Sequence, residues 1–184
     1  NTIGVIHVVR DPRNVLISIN NHFSHENFKI SKDFILNEKN WSGIVKNIKD
    51  ENKDYKIPTL ISSWKTNYRS WKNMTKNYLL VKYEDLIKDP QKEFFKISNY
   101  LTKLTNIVFN EKMILNAIDS SSFENMKKLE NKGLFNEFVT NENEEKVKFF
   151  HLGPKNDWKT ILNNEIITEI NLKLNNEMKE LNYL

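Results

Sequence analysis

Hydrophobic positions change their spacing several times along this chain, and each change marks an element. Ile3 to Val9 is nearly continuously apolar, the pattern of a parallel strand covered on both faces. Asp11 is a good N-cap and Pro12 suits the first helical position, so a helix is expected from Pro12 to about His22. Ser24 to Lys56 is polar and irregular, with a short helix expected over Asn40 to Ile48. That stretch reads either as a lid or as a surface excursion. Leu60, Ile61, Trp64, Tyr68 and Trp71 recur at helical spacing, which predicts a core-facing helix from Pro58 to about Met74. Tyr78 to Tyr83 is the second strand, and Glu84 to Asp89 reads as a connector. Helices are expected from Pro90 to about Leu101 and from Asn110 to Ile118. Ser121 and Glu124 have capping-box spacing for a helix to about Asn131. Lys132 to Glu145 reads as a polar surface loop. A last helix spans about Glu165 to Leu181, with Ile166, Ile170, Leu174 and Met178 on one face. Strands alternating with helices predict an α/β domain.

Composition narrows the function classes. The 184 residues suffice for one domain with a sizeable core. There is no cysteine, hence no disulfide framework and no thiolate metal site. No apolar run approaches the ~20 residues of a membrane helix, and no signal-peptide pattern is visible. The net charge of +4 suits an anionic ligand, but the lysines are scattered and read mostly as solvated surface. Two glycosylation sequons, at Asn40 and Asn73, are unremarkable in so asparagine-rich a chain. The chain starts without methionine, close to a strand, which leads us to expect a piece of a longer protein.

Chemistry concentrates where the first strand meets the first helix. Arg10 stands at that junction, beside free backbone N–H groups and the positive end of the helix. A guanidinium fork there favours a phosphate. A buried strand leading into a core helix, with a solvated arginine between them, remains the alternative. The histidines show no Ser-His-Asp order and no metal-ligand spacing. The four glycines form neither a Walker A loop nor a GxGxxG motif.

Arg10-Asp11-Pro12-Arg13-Asn14-Val15-Leu16-Ile17-Ser18 resembles the 3'-phosphate-binding segment of sulfotransferases that use 3'-phosphoadenosine 5'-phosphosulfate (PAPS). The resemblance implies that Arg10 and Ser18 hold the 3'-phosphate. Tyr83-Glu84-Asp85-Leu86 with Lys88-Asp89-Pro90 is similar to the segment whose tyrosine lines the adenine pocket. A core tyrosine with a satisfied hydroxyl is the plainer reading, and Glu84 and Asp85 read as capping or solvated carboxylates. Ser121-Ser122-Phe123 resembles the segment that holds the nucleotide through a hydroxyl and a ring, which implies roles for Ser121 and Phe123. An N-cap and a hydrophobic anchor would use the same residues. Phe149 to Lys159 resembles the closing segment, which in many members reads Arg-Lys-Gly, two residues, then Gly-Asp-Trp. Here His151 and Leu152 stand in place of Arg and Lys, Gly153 is kept, and Asn156 replaces the second glycine. Asparagine tolerates a left-handed turn, so that change reads as mild. Leucine cannot make a bidentate phosphate contact, and Lys155 is the nearest replacement cation.

The resemblance implies a P-loop-NTPase-like, three-layer α/β fold with a parallel sheet flanked by helices, incomplete at the N-terminus. Residues 1–184 would form one partial sulfotransferase domain of cytosolic type, hence a cytoplasmic protein. The activity implied is transfer of a sulfuryl group from PAPS to a hydroxyl or amine of a small-molecule or glycan acceptor, with no nucleic-acid or membrane partner. The family's 5'-phosphosulfate loop and catalytic histidine precede the matched arginine, so no catalytic residue is assigned within this chain. Two alternatives are a non-catalytic module that binds a nucleotide or anion, and a P-loop kinase.

Overall fold

The computed structural model describes residues 2–42, 58–135, 139–140 and 145–184. Strand β1 (Val5–Val9) pairs in parallel with β4 (Tyr78–Lys82), Val5 opposite Tyr78 and Val9 opposite Lys82. Helices lie against this pair, as an α/β chain requires. The expectation that β1 is covered on both faces needs correction. Val5 and Val9 are buried, whereas Ile6 and Val8 on the alternate face are exposed. An unbroken apolar run cannot reveal which face is covered; the period of two assigns opposite faces only once a neighbour is placed.

Helix α1 (Pro12–His22) starts where expected, with the Asp11 carboxylate accepting the Arg13 N–H at 2.9 Å. The stretch read as irregular contains helix α2 (Phe28–Leu36), capped by Asn27, whose side chain accepts from the N–H groups of Lys29 and Ile30. Only Asn40 to Ser42 of the helix expected over Asn40 to Ile48 lie within the described residues. There Trp41–Ser42 forms β2, paired antiparallel with β3 (Thr59–Leu60). The helix expected from Pro58 therefore starts later. The N–H groups of Ile61 and Ser62 bond to the Asn40 carbonyl, and Ser62 takes a positive φ of 63°. Ser63 then caps α3 (Trp64–Met74) by accepting the Thr66 N–H.

Tyr83 does not end a strand. It opens α4 (Tyr83–Lys88), so the expected connector is helical. Asp89 caps α5 (Pro90–Thr105), and Asn110 caps α6 (Glu111–Ser120). Helix α7 (Phe123–Asn131) is capped by Ser122, not by Ser121, whose hydroxyl instead donates to the Ala117 carbonyl at 2.7 Å. The stretch read as a loop carries β5 (Val139–Thr140), which pairs antiparallel with β6 (Lys146–Val147). A 3₁₀ turn (Gly153–Lys155) and α8 (Trp158–Ile161) follow. The expected last helix is two, α9 (Asn164–Lys173) and α10 (Asn175–Glu180), with the buried Leu174 between them.

The main core joins the first helices to the last. Leu16 and Ile17 of α1 and Ile35 of α2 pack with Leu162, Ile166, Ile170, Leu174 and Met178. Each such side chain contributes roughly 1.5–3 kcal/mol on burial. This packing holds α1, and everything mounted on it, against the C-terminal segment. Among the described residues, no helix is long and apolar enough to cross a membrane.

Candidate anion and nucleotide site

Two arginines flank the entry to α1, and the fold separates their roles. Arg13 is buried. Its guanidinium pairs with the Asp11 carboxylate at 2.6 Å and donates to the Tyr183 carbonyl at 2.7 Å and to Asn171 at 3.2 Å. It also lies 3.8 Å over the Trp158 ring. Glu84 completes this knot, accepting the Asp11 N–H at 3.0 Å and the Tyr183 hydroxyl at 2.9 Å. Burial and the Glu84 carboxylate together push the Tyr183 phenol far up, so it stays protonated and can only donate to that carboxylate. Glu84, read from the sequence as a capping or solvated carboxylate, thus meets the N–H of Asp11, the N-cap of α1, across 73 residues of sequence.

Arg10 turns the other way. Its backbone carbonyl accepts the Trp64 indole N–H, which anchors the residue. Its guanidinium stacks 4.2 Å from the centre of the Tyr83 ring and makes two long contacts, each 3.4 Å, to the Ser18 hydroxyl and the Gly153 carbonyl. Burial lowers its pKa, and the nearby Tyr83, Glu84, Asp11 and Tyr183 oppose that shift. Arginine remains a cation throughout the physiological range.

Around Arg10 lies a cavity of about 460 Å³. Of the residues singled out from the sequence, Arg10, Ser18, Tyr83, Phe123, His151, Leu152 and Gly153 line it. Ser121 and Lys155 do not: Ser121 is exposed at the end of α6, and Lys155 is exposed on the 3₁₀ turn. The turn follows from the local bonds, since the N–H groups of Lys155 and Asn156 return to the carbonyls of Leu152 and Gly153.

Gly153 has a physical reason to be glycine. Its φ is +53°, and a Cβ there would run into the ring of Phe123. Asn156, by contrast, has φ −71°, so the expected left-handed turn is absent at that position. What Asn156 uses is its amide. It is buried, donates to the Asn14 carbonyl at 3.0 Å and to Ser18 at 3.2 Å, and receives the Asn14 amide on its own carbonyl at 2.6 Å. Ser18 thus accepts from both Arg10 and Asn156, which leaves its own proton free to point into the cavity.

The reading from sequence missed the residues that shape the rest of the lining, among them Val15, Ile19, His22, Phe149 and Phe150. Helical spacing was a usable signal for three of them. Val15 and His22 stand three before and four after Ser18, and Ile19 stands four after Val15 and three before His22, the offsets that share one helix face. The phenylalanines are placed by Glu130 of α7, whose carboxylate accepts the N–H of Phe149 at 2.5 Å and of Phe150 at 3.3 Å. Phe150 meets Phe123 edge-on at 6.0 Å. The result is a cationic, hydroxyl-bearing edge facing aromatic walls. Such a site can hold a phosphate at Arg10 and Ser18 and a flat ring near Tyr83 and Phe123.

Comparison with known proteins places the chain in a family. The family model for the sulfotransferase domain matches residues 1–182, and the chain belongs to that family. It is 32% identical over 164 residues to sulfotransferase 2A1 of Macaca fascicularis, covering 86% of this chain and 50% of that protein. It is 29% identical to the amine sulfotransferase of Oryctolagus cuniculus, covering 98% of this chain and 56% of that protein. The chain therefore spans about half the length of the curated relatives it matches. Among solved structures, mouse sulfotransferase SULT7A1 complexed with PAP superposes with a TM-score of 0.62 at 19% identity, over 96% of this chain and 58% of that one. Retinol dehydratase in complex with androsterone and inactive cofactor PAP gives 0.60 at 17% identity, over 96% and 47%. These likenesses show the P-loop-like α/β fold.

Proposed function

We propose that this chain supplies the 3'-phosphate and adenine site of an enzyme that transfers a sulfuryl group from PAPS to a hydroxyl or amine acceptor. The observation that carries the reading is the meeting of Arg10, Ser18, Tyr83, Phe123 and Gly153 around one cavity, in a chain of the sulfotransferase domain family. Two of the structures it superposes on, mouse sulfotransferase SULT7A1 and retinol dehydratase, are complexes with PAP. PAPS, when bound, supplies the sulfuryl group.

This chain's own residues bind and orient. The guanidinium of Arg10 offers two N–H groups to the 3'-phosphate while Tyr83 stacks behind it. The Ser18 hydroxyl, its oxygen already accepting from Asn156, donates to the same phosphate. Tyr83 and Phe123 flank the base, and the knot of Asp11, Arg13 and Glu84 holds the whole edge still. Residues 1–184 act in this reading as one sulfotransferase domain, in part. The acceptor is a small molecule or glycan, and the cytoplasm is the compartment, on the resemblance to the cytosolic type. Ser121 and Lys155 do not line the cavity and take no part in this binding edge.

Titration of adenosine 3',5'-bisphosphate into the chain tests the reading. R10A should lose about 1.5–3 kcal/mol of affinity, the worth of a charged hydrogen bond. Equal affinities for the variant and the wild type would remove Arg10 from the site.

A further inference from the structure

Strand β4 has β1 as its one partner among the described strands, so its other edge is open. In the parallel register Val5 donates to the Asn77 carbonyl at 2.9 Å, which turns the backbone groups of the alternate residues Tyr78 and Leu80 away from β1. Leu80 shows this directly, since its carbonyl accepts the Lys96 ammonium at 3.1 Å. Next to that edge lies a groove of about 480 Å³ between β4 and α5. Leu79 and Phe95 give it apolar surface, and Lys92, Lys96 and Lys103 stand along it. These lysines are exposed and, at offsets of four and seven, share one face of α5. The Tyr100 hydroxyl donates to the Asn77 carbonyl at 2.7 Å and pins α5 beside the strand. None of these groove residues lines the cavity around Arg10.

We propose that this groove is a docking surface for an extended, acidic segment of a partner protein, added as a strand to the open edge of β4. The lengths match. Lys92 to Lys103 covers roughly 16 Å at 1.5 Å per residue, and the five residues of β4 cover about the same at 3.3 Å each. Side chains on one face of an added strand recur about 7 Å apart, close to the ~6 Å rise between Lys92 and Lys96. Carboxylates at alternate positions therefore fall beside the lysines, while the added backbone pairs with the outward groups of Tyr78 and Leu80.

The charges beside the groove have one sign. Glu93, on the same helix, is buried and holds its carboxylate on Lys96 at 3.1 Å. Asp89 caps α5 by accepting the Lys92 N–H at 3.0 Å. Among the described residues, no acidic side chain forms an ion pair with Lys92 or Lys103. Lysines beside an open edge repel a second copy of that edge, so the occupant they admit is one of opposite charge.

The test is titration of a blocked peptide alternating threonine and glutamate, about nine residues long so that it covers the edge, into the chain at low salt. Amide NMR follows the binding. Bound peptide should slow hydrogen exchange at the Leu80 N–H and leave the Val5 N–H, already bonded to Asn77, unchanged. Charge reversal in the variant carrying K92E and K103E should weaken binding roughly tenfold or more, two exposed ion pairs being lost and reversed. K103E alone, at an exposed position, gives a second comparison should the double variant fold poorly. No binding, or binding undiminished by charge reversal, overturns the proposal and leaves the lysines as guards of the edge. Binding without protection at Leu80, or displaced equally well by tripolyphosphate, overturns strand addition and leaves a diffuse anion surface. Self-association of the wild type through this edge, seen by light scattering and blocked by the peptide, makes the occupant a second copy and overturns the partner proposed.

Discussion

At the entry to α1, Arg13 is 4% exposed and reaches the Asp11 carboxylate, the Tyr183 carbonyl and Asn171, with the Trp158 ring beneath it. At the cavity edge, Arg10 has two contacts at 3.4 Å and one aromatic neighbour. The side-chain chemistry is the same, and the two residues are three apart in sequence. The difference lies in what surrounds each. Short, charge-assisted bonds to buried acceptors fix a guanidinium as architecture. Long bonds to a hydroxyl and a carbonyl leave one whose strongest donors can be better used by an anion.

The comparison breaks first at the knot. R13A leaves the Asp11 carboxylate buried without its partner, which should cost about 3–5 kcal/mol of stability. Thermal unfolding reads this directly, and a drop comparable to that of R10A would show that the two arginines are not distinct. The next effect lies on the cavity wall. G153A places a methyl against Phe123, an overpacking cost of about 1–3 kcal/mol. The left-handed backbone adds ~1–2 kcal/mol for a residue with a Cβ. Denaturant unfolding together with bisphosphate titration should show stability and affinity falling together; an unchanged midpoint would contradict the close approach.

Asn156 sharpens the comparison from the other side. N156G restores a residue with full backbone freedom but removes the amide that binds Asn14 and Ser18. Because φ is −71°, that freedom is of no use here, and the loss should be about 1–2 kcal/mol. A variant as stable as the wild type would mean that the turn, not the amide, is what matters.

The smallest effect is a slope with pH. His7 shares a 2.8 Å hydrogen bond with the Tyr78 hydroxyl, and burial lowers its pKa. Burial likewise raises Tyr78, to about 12, so the phenol stays neutral beside the ring. In the unfolded chain His7 takes up its proton first, near pH 6.5. Stability should therefore fall as pH drops through that value and level off below the folded pKa. His25 is shifted in the same direction, so H7Q should reduce the slope without abolishing it. The carboxylates of Glu38 and Glu180, held low by hydrogen bonds from Thr66 and Lys72, act in a separate, more acidic window. Chemical unfolding at several pH values checks the claim; an unchanged slope in H7Q would refute it.

What the sequence disclosed was what neighbouring residues decide among themselves. Strand β1 showed as an unbroken apolar run, and the Asp11-Pro12 start of α1 and the Asp89-Pro90 start of α5 rest on contacts within four residues. Where two adjacent residues could do one job, the choice went wrong. Ser121 and Ser122 are equal candidates for a cap, and the geometry of α6 decides by claiming the Ser121 hydroxyl. Pro58 is as good a helix opener as Pro12, but pairing of Thr59–Leu60 with Trp41–Ser42 keeps that chain extended. The meeting of Arg10, Ser18 and Gly153 at one cavity was legible. The Asn14–Asn156 bond joins positions 142 apart, and no local pattern announces it. Lys155 was chosen for its charge, and the direction a lysine takes is set by the turn beneath it.

The Arg13–Tyr183 bond also has a consequence in time. Its partners are separated by 170 residues. At synthesis rates of roughly 5–20 residues per second, Arg13 emerges on the order of 10–30 s before Tyr183 is made. The apolar stripe of α1 waits equally long, since Leu16 and Ile17 pack on Ile166, Ile170, Leu174 and Met178. During that interval β1 and α1 have no C-terminal wall, and Asn156 has not yet steadied Ser18. The cavity is thus finished only once the segment around Asn156 and the last helices have been made, and until then the apolar stripe of α1 is uncovered and open to misassembly.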